Sequence, residues 1–360
     1  MSGFYKNKRV FITGHTGFKG AWLAAALLDT GAQIKGYALA PNTEPSLYNL
    51  LGLARKMESV IADIRDGERL AKEIASFRPD IILHLAAQPL VRLSYAEPVL
   101  TYSTNVMGTL NVFEAARRTA DVRAVVNITS DKCYENRETS QPYKETDPMG
   151  GFDPYSSSKG MSELLTASYR NCYFNPKDYG RAHQVGLASC RAGNVIGGGD
   201  YALDRIAPDC ARAISQNKEI VLRNPKATRP WQHVLEPLFG YLLVAQKLYG
   251  GPQAAQGWNF GPEPEDIRTV EDLAKKFTAV WGRGNYILQP DAKLHEAKLL
   301  HLDITKAKTQ LGWRPVYDFD KAVAATAQWY KNFYAGEDIC QFTLAQIGEY
   351  KKVYSKAIPI

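Results

Sequence analysis

The sequence has little cysteine and no long apolar run. Its five cysteines are widely spaced and odd in number, and they form neither a CxxC pair nor a Cys/His cluster. This pattern argues against a disulfide framework and a zinc site, so no metal is expected. No apolar stretch approaches the roughly 18 residues that a membrane-spanning helix needs. The N-terminus runs directly into a strand-like segment without room for a signal peptide. We therefore expect a cytoplasmic protein with reduced thiols and no membrane partner.

Basic clusters, internal repeats and low-complexity tracts are also missing. The 44 Lys and Arg residues against 37 Asp and Glu give a net charge of +7, but the basic residues are scattered. This charge suits an anionic small molecule as well as a nucleic acid, and we expect no nucleic-acid partner. A composition of 45% hydrophobic and 22% charged residues is that of an ordinary globular protein. The 360 residues leave room for two domains or one large α/β unit with an appended lobe.

What the chain does contain is a regular alternation of apolar, β-branched segments with helical ones. Strands that are apolar on both faces and separated by helices predict a doubly wound parallel sheet of the Rossmann type. Beyond about residue 192 the rhythm loosens, so we assign residues 1–191 to the sheet domain and 192–360 mainly to a smaller C-terminal lobe, with an interleaved boundary. The predicted strands are Arg9–Thr13, Gln33–Leu39, Ser59–Ala62, Asp80–Ala86, Ala124–Thr129 and Gln184–Arg191, and the predicted helices are Gly17–Thr30, Arg65–Phe77, Tyr102–Thr119 and Tyr155–Asn171.

A glycine-rich loop joins the first strand to the first helix. Its GxxGxxG spacing is one residue longer than the GxGxxG dinucleotide fingerprint. Glycines there permit a tight turn and let backbone N–H groups approach a pyrophosphate, whose charge the helix N-terminus favours. His15 and Lys19 are either phosphate contacts or exposed loop side chains. The candidate cofactor-binding residues of this loop are Gly14, His15, Thr16, Gly17, Phe18, Lys19 and Gly20.

Further cofactor-binding candidates follow the next strands. The second strand lacks both the acid that usually holds the adenosine ribose and an arginine in its place, so it does not decide between NAD and NADP. Asp63 and Ile64 are placed to hold an adenine edge, with helix N-capping as the alternative for Asp63. Leu85, Ala86 and Ala87 close the fourth strand with residues that would let a cofactor lie against the backbone.

Two short motifs carry the candidate chemistry. Tyr155 and Lys159 stand four residues apart, so they share one face of a helix. A neighbouring Lys⁺ and a nicotinamide ring charge would lower the pKa of the phenol, as a base requires, and a surface pair is the alternative. The fifth strand ends in Ser130, Asp131 and Lys132, where open α/β sheets bind ligands, with a polar turn as the alternative. Ser130 would hydrogen-bond a substrate hydroxyl beside Tyr155, and Asp131 with Lys132 would supply a second acid/base set.

Taken together, these motifs resemble the extended short-chain dehydrogenase/reductase family that acts on nucleotide sugars. The resemblance covers nearly the whole chain and implies an enzyme with tightly held NAD that forms a homodimer or homotetramer through helices 102–119 and 155–171. It rests on Gly14–Gly20, Asp63-Ile64, the Ser130/Tyr155/Lys159 set, Arg191–Asn194 and the tail motif from Leu302 to Pro315.

Within the family, several segments are similar to the 4,6-dehydratase branch, with CDP-glucose as the implied substrate. The implied reaction begins when Tyr155, helped by Ser130 and Lys159, takes the proton of the glucosyl 4-hydroxyl as hydride passes to NAD⁺. Water then leaves across C5 and C6, and the hydride returns to C6. Related dTDP-glucose dehydratases carry Asp-Glu where this chain has Asp131-Lys132. Asp131 keeps the general-acid position, whereas Lys132 is either the C5 base or a residue that positions Asp131.

The resemblance also implies that the second lobe holds the nucleotide diphosphate. Arg229 matches a pyrophosphate-binding position, which the fork of a guanidinium suits, and Asn194 matches a pyrophosphate or sugar contact. Arg205 and Arg223 are further substrate-binding candidates, with surface salt bridges as the alternative. Gln88 completes the substrate-binding set, and Trp231 is expected in the core.

Three other functions remain open at this point. A nucleotide-sugar 4-epimerase would share the fold, the cofactor and the Tyr155/Lys159 pair, but it needs no elimination acid, so Asp131-Lys132 speaks against it. A dehydratase for another NDP-hexose would share every motif except the contacts to the base. A non-catalytic nucleotide-sensing protein would tend to lose the Tyr155/Lys159 pair that this chain keeps.

Overall fold

The computed structural model describes residues 3–137, 139, 141–202, 205–289 and 300–358. Its strands and helices alternate along the first half of the chain. In chain order the strands are β1 (Arg9–Thr13), β2 (Gln33–Ala38), β3 (Glu58–Ile61), β4 (Ile81–His84), β5 (Ala124–Ile128), β6 (Gly186–Ala192), β7 (Val195–Ile196), β8 (Ile220–Leu222), β9 (Thr228–Arg229), β10 (Gln232–His233), β11 (Gly257–Phe260), β12 (Arg268–Thr269) and β13 (Tyr286–Leu288).

Helices lie between the strands along the first half of the chain and make up much of the second half. A π-helical turn at Ser103–Met107 joins two of them, and another lies at Ala307–Leu311. The helices are α1 (Phe18–Leu28), α2 (Leu47–Leu50), α3 (Gly67–Phe77), α4 (Val91–Ala96), α5 (Pro98–Tyr102), α6 (Gly108–Arg117), α7 (Pro154–Cys172), α8 (Ile206–Ser215), α9 (Leu235–Gly250), α10 (Val270–Trp281), α11 (Phe319–Tyr334) and α12 (Ile339–Ala357).

A parallel sheet lies at the centre of the molecule. Among the described residues it has seven strands in the order β11-β6-β5-β4-β1-β2-β3, and every adjacent pair runs parallel. The doubly wound parallel sheet predicted from the sequence is confirmed. All six predicted strands are present with ends shifted by a few residues. The seventh strand, β11, was not predicted, and it brings the later part of the chain back to the edge beside β6.

Alternation along the strands places one set of side chains on each face of the sheet. Val10, Ile12 and Val126 face the larger core, which contains α1 and α9. Phe11 and Val125 face the other core, which contains α3 and α6. Successive side chains of a strand point to opposite faces, so a strand buried on both sides reads as a continuous apolar run. This is the pattern from which the parallel sheet was predicted.

Aromatic packing joins the later part of the chain to the sheet. Trp231 is 7% exposed and belongs to the larger core, which confirms its expected place. The tail motif packs on the edge strand, because the Trp313 ring meets the ring of Phe260 edge to face, with centroids 4.8 Å apart. Short strand pairs β10/β7, β12/β9 and β13/β8 connect the rest of the lobe.

Three further findings concern the predictions from composition. All five cysteine thiols are free. Within the described ranges, no helix has the length and apolar character to cross a bilayer, and no cluster of three or more His, Cys, Asp or Glu side chains is arranged to hold a metal ion.

Candidate active site

The tips of β5 and β6 and the start of α7 bring the predicted catalytic residues together. Ser130 begins a 3-10 turn after β5, and its Oγ accepts a hydrogen bond from the backbone N of Lys132 at 3.3 Å. Asp153 caps α7, because its carboxylate accepts from the backbone N of Ser156 at 2.9 Å. Lys159, one turn into the helix, donates from Nζ to the carbonyl oxygen of Ile128 at 3.4 Å. The helix is thereby fixed against the end of β5.

Tyr155 and Lys159 are both buried at this junction, so the surface-pair interpretation is wrong. Burial raises the pKa of Tyr155 to about 12, and a hydrogen bond with Ser130 opposes the rise. Burial lowers the pKa of Lys159 to about 8, opposed by the nearby Cys133 and Glu163. In the free protein the phenol is therefore protonated at neutral pH, and it needs added positive charge beside it to become a base.

Asp131 lies in the same cluster in a space that only a glycine leaves open. Its side chain is buried, and its Oδ1 accepts a hydrogen bond from Ser130 Oγ at 2.9 Å. A Cβ added to Gly193 would lie 1.9 Å from Asp131 Oδ2. The segment is a turn, as the alternative interpretation held, but Ser130 and Asp131 point into the protein, while Lys132 is partly exposed.

The glycine loop is shaped by close backbone contacts. Gly14 has a φ of +77°, and a Cβ there would lie 2.8 Å from the backbone N of Ala86. A Cβ on Gly20 would lie 2.1 Å from the carbonyl oxygen of Gly14. Gly17 stays exposed as the N-cap of α1, so the end of the helix that favours an anion is open.

His15 and Lys19 differ from the exposed loop side chains that were one interpretation. The His15 ring is fully buried and occupies the space where Gly36 lacks a Cβ, and its Nε2 lies 2.7 Å from Ser59 Oγ. Burial lowers the pKa of His15 to about 4, so the imidazole is neutral. The Lys19 ammonium interacts electrostatically with Arg205 and Asp131, and burial lowers its pKa to about 8. Lys19 therefore faces the catalytic cluster.

A buried polar chain fixes the backbone opposite the glycine loop. Thr13 Oγ1 accepts from the backbone N–H groups of Leu85 and Ala86, each at 3.1 Å, and lies 2.7 Å from His84 Nδ1. His84 Nε2 lies 3.0 Å from Thr109 Oγ1 on α6. Burial lowers the pKa of His84 to about 3, so this histidine is neutral. The half-buried segment 85–87 is thereby held as one wall of the cleft.

Gln88 is placed differently from its predicted role as a substrate contact. Its side-chain Nε2 donates to Thr101 Oγ1 at 2.9 Å and to the carbonyl oxygen of Leu90 at 3.1 Å. Its Oε1 accepts from the backbone N of Leu90 at 2.5 Å. These bonds tie the segment after β4 to Thr101 on α5.

Asp63 and Ile64 lie beyond β3 on the other side of the glycine loop. Ile64 is buried against Gly108. The N-capping alternative for Asp63 is wrong, because Asp66 caps α3 by accepting from the backbone N of Arg69 at 3.0 Å. Asp63 instead accepts from Arg65, which lowers the pKa of its carboxyl group.

The predicted substrate-binding residues of the second lobe are spread over several elements. Arg205 Nη1 pairs with Asp200 Oδ2 at 2.7 Å, and its guanidinium also interacts electrostatically with Tyr155. Asn194 follows β6 in a left-handed conformation, with a φ of +50°. Arg223 follows β8 and Arg229 lies on β9, and both are half-buried. Arg205 is thereby placed beside Tyr155.

Sequence reasoning missed two buried acids in the site. Glu163 lies on α7 one turn beyond Lys159, and Asp200 holds Arg205. The spacing of four residues from Lys159 was the available signal for Glu163, since Tyr155, Lys159 and Glu163 share one helix face. Asp200 carried no comparable signal, because its role depends on the path of the glycine segment 197–199.

A Rossmann-type sheet, a glycine-rich loop after its first strand and a Ser130/Tyr155/Lys159 cluster define a short-chain dehydrogenase/reductase. The family model described as GDP-mannose 4,6-dehydratase matches residues 11–261. This chain belongs to that family.

Curated relatives match over most of the chain. A CDP-glucose 4,6-dehydratase from Salmonella typhimurium is 51% identical over 349 residues, which are 96% of this chain and 97% of the relative. A dTDP-glucose 4,6-dehydratase from Xanthomonas campestris is 25% identical and covers 89% of this chain and 92% of its own length.

Solved structures share the fold. A dTDP-glucose 4,6-dehydratase from Streptomyces venezuelae with NAD bound superposes with a TM-score of 0.76 at 24% identity, covering 91% of this chain and 98% of that one. A UDP-glucose 4-epimerase from Thermotoga maritima gives a TM-score of 0.77 at 21% identity, over 90% of this chain and 99% of the other.

Proposed function

We propose that this chain is an NAD-dependent CDP-glucose 4,6-dehydratase, a lyase that forms CDP-4-keto-6-deoxyglucose. The observation that carries the proposal is the meeting of Ser130 and Tyr155, a pair suited to oxidation at a hydroxyl, with the buried carboxylate of Asp131, a group suited to elimination. The relative at 51% identity supports the choice of substrate.

The residues of the nucleotide end fit a dinucleotide. Glycine at positions 14 and 20 lets the loop backbone pack closely against Ala86 and against itself, and Gly17 at the start of α1 is exposed, so the end of the helix that favours an anion is open. Gly14–Gly20 would hold the pyrophosphate, Asp63 and Ile64 the adenine end, Leu85–Ala87 the wall, and Tyr155 and Lys159 the nicotinamide end. When bound, NAD⁺ would accept the hydride from C4 of the sugar, and the reduced cofactor so formed would return it to C6.

Tyr155 would act as the base of the oxidation. Its phenol lies against Ser130 and one helical turn from Lys159. Its pKa is about 12 in the protein, chiefly because of burial, and added positive charge from the cofactor ring would lower that pKa. Deprotonated Tyr155 takes the proton of the 4-hydroxyl, and Ser130 holds that hydroxyl. Lys159 keeps positive charge beside the phenolate.

Asp131 would act in the elimination. Oxidation at C4 makes the C5 proton acidic. A base removes that proton, and Asp131 donates one to the departing 6-hydroxyl, so that one water is lost across C5 and C6. Lys132 is the C5 base or positions Asp131. Both are chemically unnecessary for oxidation at C4, which separates this step from the work of Tyr155.

The substrate would lie between the sheet edge and the C-terminal lobe. We assign its diphosphate and sugar to Asn194, Arg205, Arg223 and Arg229. The interleaved lobes proposed from the sequence, 1–191 for the cofactor and mainly 192–360 for the nucleotide sugar, agree with this division of labour. A cytoplasmic location, where nucleotide sugars and reduced thiols are found together, is part of the same proposal.

The protein would work as a homodimer or homotetramer. Apolar side chains are exposed on neighbouring helical segments, with Met107 50% exposed in the π turn before α6 and Leu164 60% exposed on α7. Val99 on α5 and Met161 on α7 are exposed as well. Exposed apolar patches of this kind favour association. Sedimentation at several concentrations would measure the state, and a monomer throughout would contradict it.

Turnover of four sugar nucleotides tests the proposed function. The purified protein is incubated with NAD⁺ and CDP-, dTDP-, UDP- or GDP-glucose, and each mixture is analysed for a 4-keto-6-deoxy product by mass. We expect CDP-glucose to be turned over far better than the others. Equal turnover of dTDP-glucose would overturn the choice of base. Formation of a C4 epimer without loss of water, detected by NMR because it has the mass of the substrate, would identify an epimerase.

A further inference from the structure

Glu163 is a buried acid whose carboxylate accepts hydrogen bonds from two strands. It lies on α7, two turns beyond Tyr155 and one beyond Lys159, and is 3% exposed. Thr129 Oγ1, after β5, donates to its Oε1 at 2.5 Å. On β6, Ser189 Oγ and Arg191 Nη2 donate to its Oε2 at 2.7 and 2.8 Å.

Two of these donors lie close in sequence to residues that shape the catalytic cluster. Thr129 directly precedes Ser130, and Arg191 stands two residues before Gly193, which makes room for the Asp131 carboxylate. The same helix bonds back to β5 through Lys159 and Ile128. Glu163 therefore connects α7, which carries Tyr155 and Lys159, to the ends of β5 and β6.

Arg191 extends this attachment to the loop after the catalytic turn. Its Nη1 donates to Tyr134 OH at 2.6 Å and to the carbonyl oxygen of Glu145 at 3.3 Å. Tyr134 in turn donates to Asn259 Oδ1, on β11, at 2.7 Å. The network spans the end of the sheet from α7 to its edge strand.

Stability alone does not account for a charged pair in this place. Taking two charges out of water is costly, and well-packed neutral residues in place of a buried ion pair often leave a protein equally stable. The pair also fixes an orientation. Because hydrogen bonds are directional, the three that the carboxylate accepts determine how α7 packs against β5 and β6.

We propose that Glu163 is a positioning residue that fixes the helix carrying Tyr155 and Lys159 in register with the strand ends carrying Ser130 and Asp131. The proposal rests on the proposed function, since it is the alignment of Tyr155 with Ser130 that makes hydride transfer productive. A small misplacement of reacting groups is enough to slow a reaction strongly.

One pair of variants separates positioning from stability. Thr129→Val removes one hydrogen bond to Glu163 without changing size or charge. Thr166→Val is the matched control: Thr166 is fully buried on the same helix, and its hydroxyl accepts from Asn127 at 2.9 Å. We expect Thr129→Val to slow single-turnover hydride transfer at least about tenfold with little change in the Kd of CDP-glucose. Thr166→Val should stay within about twofold of the parent. Equal slowing in the two variants would overturn the proposal.

A double substitution gives a second test. Glu163→Gln leaves the Arg191 guanidinium buried without its partner and should lower the Tm, whereas Glu163→Gln with Arg191→Met removes both charges. If Glu163 positions the helix, the double variant regains Tm over the single one while hydride transfer stays at least about tenfold slow. If the double variant regains both the Tm and the rate of hydride transfer, the ion pair has a structural role only and the proposal fails.

Hydrogen exchange tests the positioning role of Glu163 even if the proposed activity is wrong. A parent protein that turns over none of the four NDP-glucoses would contradict the proposed dehydratase activity. The position of α7 can still be measured by exchange in peptides covering residues 128–134 and 155–163. We expect faster exchange there in Thr129→Val than in Thr166→Val, and equal exchange would overturn the inference.

Discussion

The catalytic end of the site, at the tips of β5 and β6, is built from buried polar side chains, whereas the nucleotide end, at the tip of β1, is built from backbone. At the catalytic end Tyr155, Lys159, Asp131 and Glu163 are buried, and each has a side-chain hydrogen bond within the cluster or to the adjoining strand ends. At the nucleotide end Gly14 and Ala86 approach so closely that a Cβ on Gly14 would clash. The first end is thus sensitive to a change of functional group, and the second to a change of shape.

The largest expected effect is at the phenol of the catalytic end. Tyr155→Phe removes the base without changing the volume of the side chain, and loss of such a group typically slows a reaction by about 10²–10⁴. Binding of NAD and CDP-glucose should survive, because their phosphate contacts lie elsewhere. Absorbance of the reduced cofactor in a single turnover measures the rate, and calorimetry measures binding. Tyr169→Phe, on the same helix with its phenol bonded to Glu114, is the control. Hydride transfer at the parental rate in Tyr155→Phe would show that another group is the base.

Asp131→Asn should divide the reaction into its two halves. The variant keeps size and hydrogen bonding but cannot donate the proton, so loss of the 6-hydroxyl should slow by about 10²-fold or more while oxidation at C4 continues. Reduced cofactor and bound 4-ketoglucose nucleotide then accumulate, which absorbance and mass analysis detect. Lys132→Ala should accumulate the same species if Lys132 is the C5 base. Solvent deuterium should then enter C5 in Asp131→Asn, where the base is present, and not in Lys132→Ala. If Asp131→Asn forms no reduced cofactor, Asp131 belongs to the oxidation step.

At the nucleotide end we expect a loss of affinity. Gly14→Ala places a methyl group 2.8 Å from the Ala86 backbone N, at a residue whose φ of +77° already disfavours a side chain. Displacing segment 85–87, which forms this wall of the cleft, should weaken NAD binding at least about tenfold. Gly312→Ala is the matched control, because its φ is +72° but nothing lies within 4 Å of the added Cβ. Calorimetric titration with NAD compares the two, and equal affinities would contradict the assignment of the cradle.

A smaller effect should appear in the pH dependence of stability. The pKa of Lys159 is about 8 in the folded protein and 10.5 as a free side chain. Between these values the unfolded chain holds more protons, so stability rises with pH. From pH 8 to 9 Lys159 should contribute a gain of roughly 1 kcal/mol. Lys159→Met should show a correspondingly smaller rise in denaturant unfolding. Identical slopes for parent and variant would mean that Lys159 is not buried as described.

Much of the sheet was readable from the sequence because its strands are continuously apolar. The edge strand β11 was missed since it is only four residues long, Gly-Trp-Asn-Phe, and contains glycine and asparagine, which are rare in strands. Its pairing with β6 depends on contacts made across the chain. Helix ends were shifted where a later residue supplied the cap, as Asp66 does for α3.

The site could be predicted where sequence spacing alone brings two side chains together. It could not be predicted where a contact depends on which way a loop side chain points. Tyr155 and Lys159 share a helix face by spacing alone. His15 and Gln88 carry polar groups in loops. No local pattern indicates that the His15 ring packs against β2 or that the Gln88 amide hydrogen-bonds to a side chain on α5. Glu163 was readable only in part, because its partners come from two strands distant in sequence.

The late arrival of β11 has a consequence for fragments of this chain. A piece that ends near residue 191 would contain every predicted catalytic residue, yet it would leave one side of β6 without the hydrogen-bonding partner that residues 257–260 supply. A bare, apolar edge strand is a template for pairing with other chains, so such a piece should aggregate. During synthesis the same edge stays open until some 70 further residues, the span from 191 to 260, have left the ribosome, and this strand pairing has high contact order.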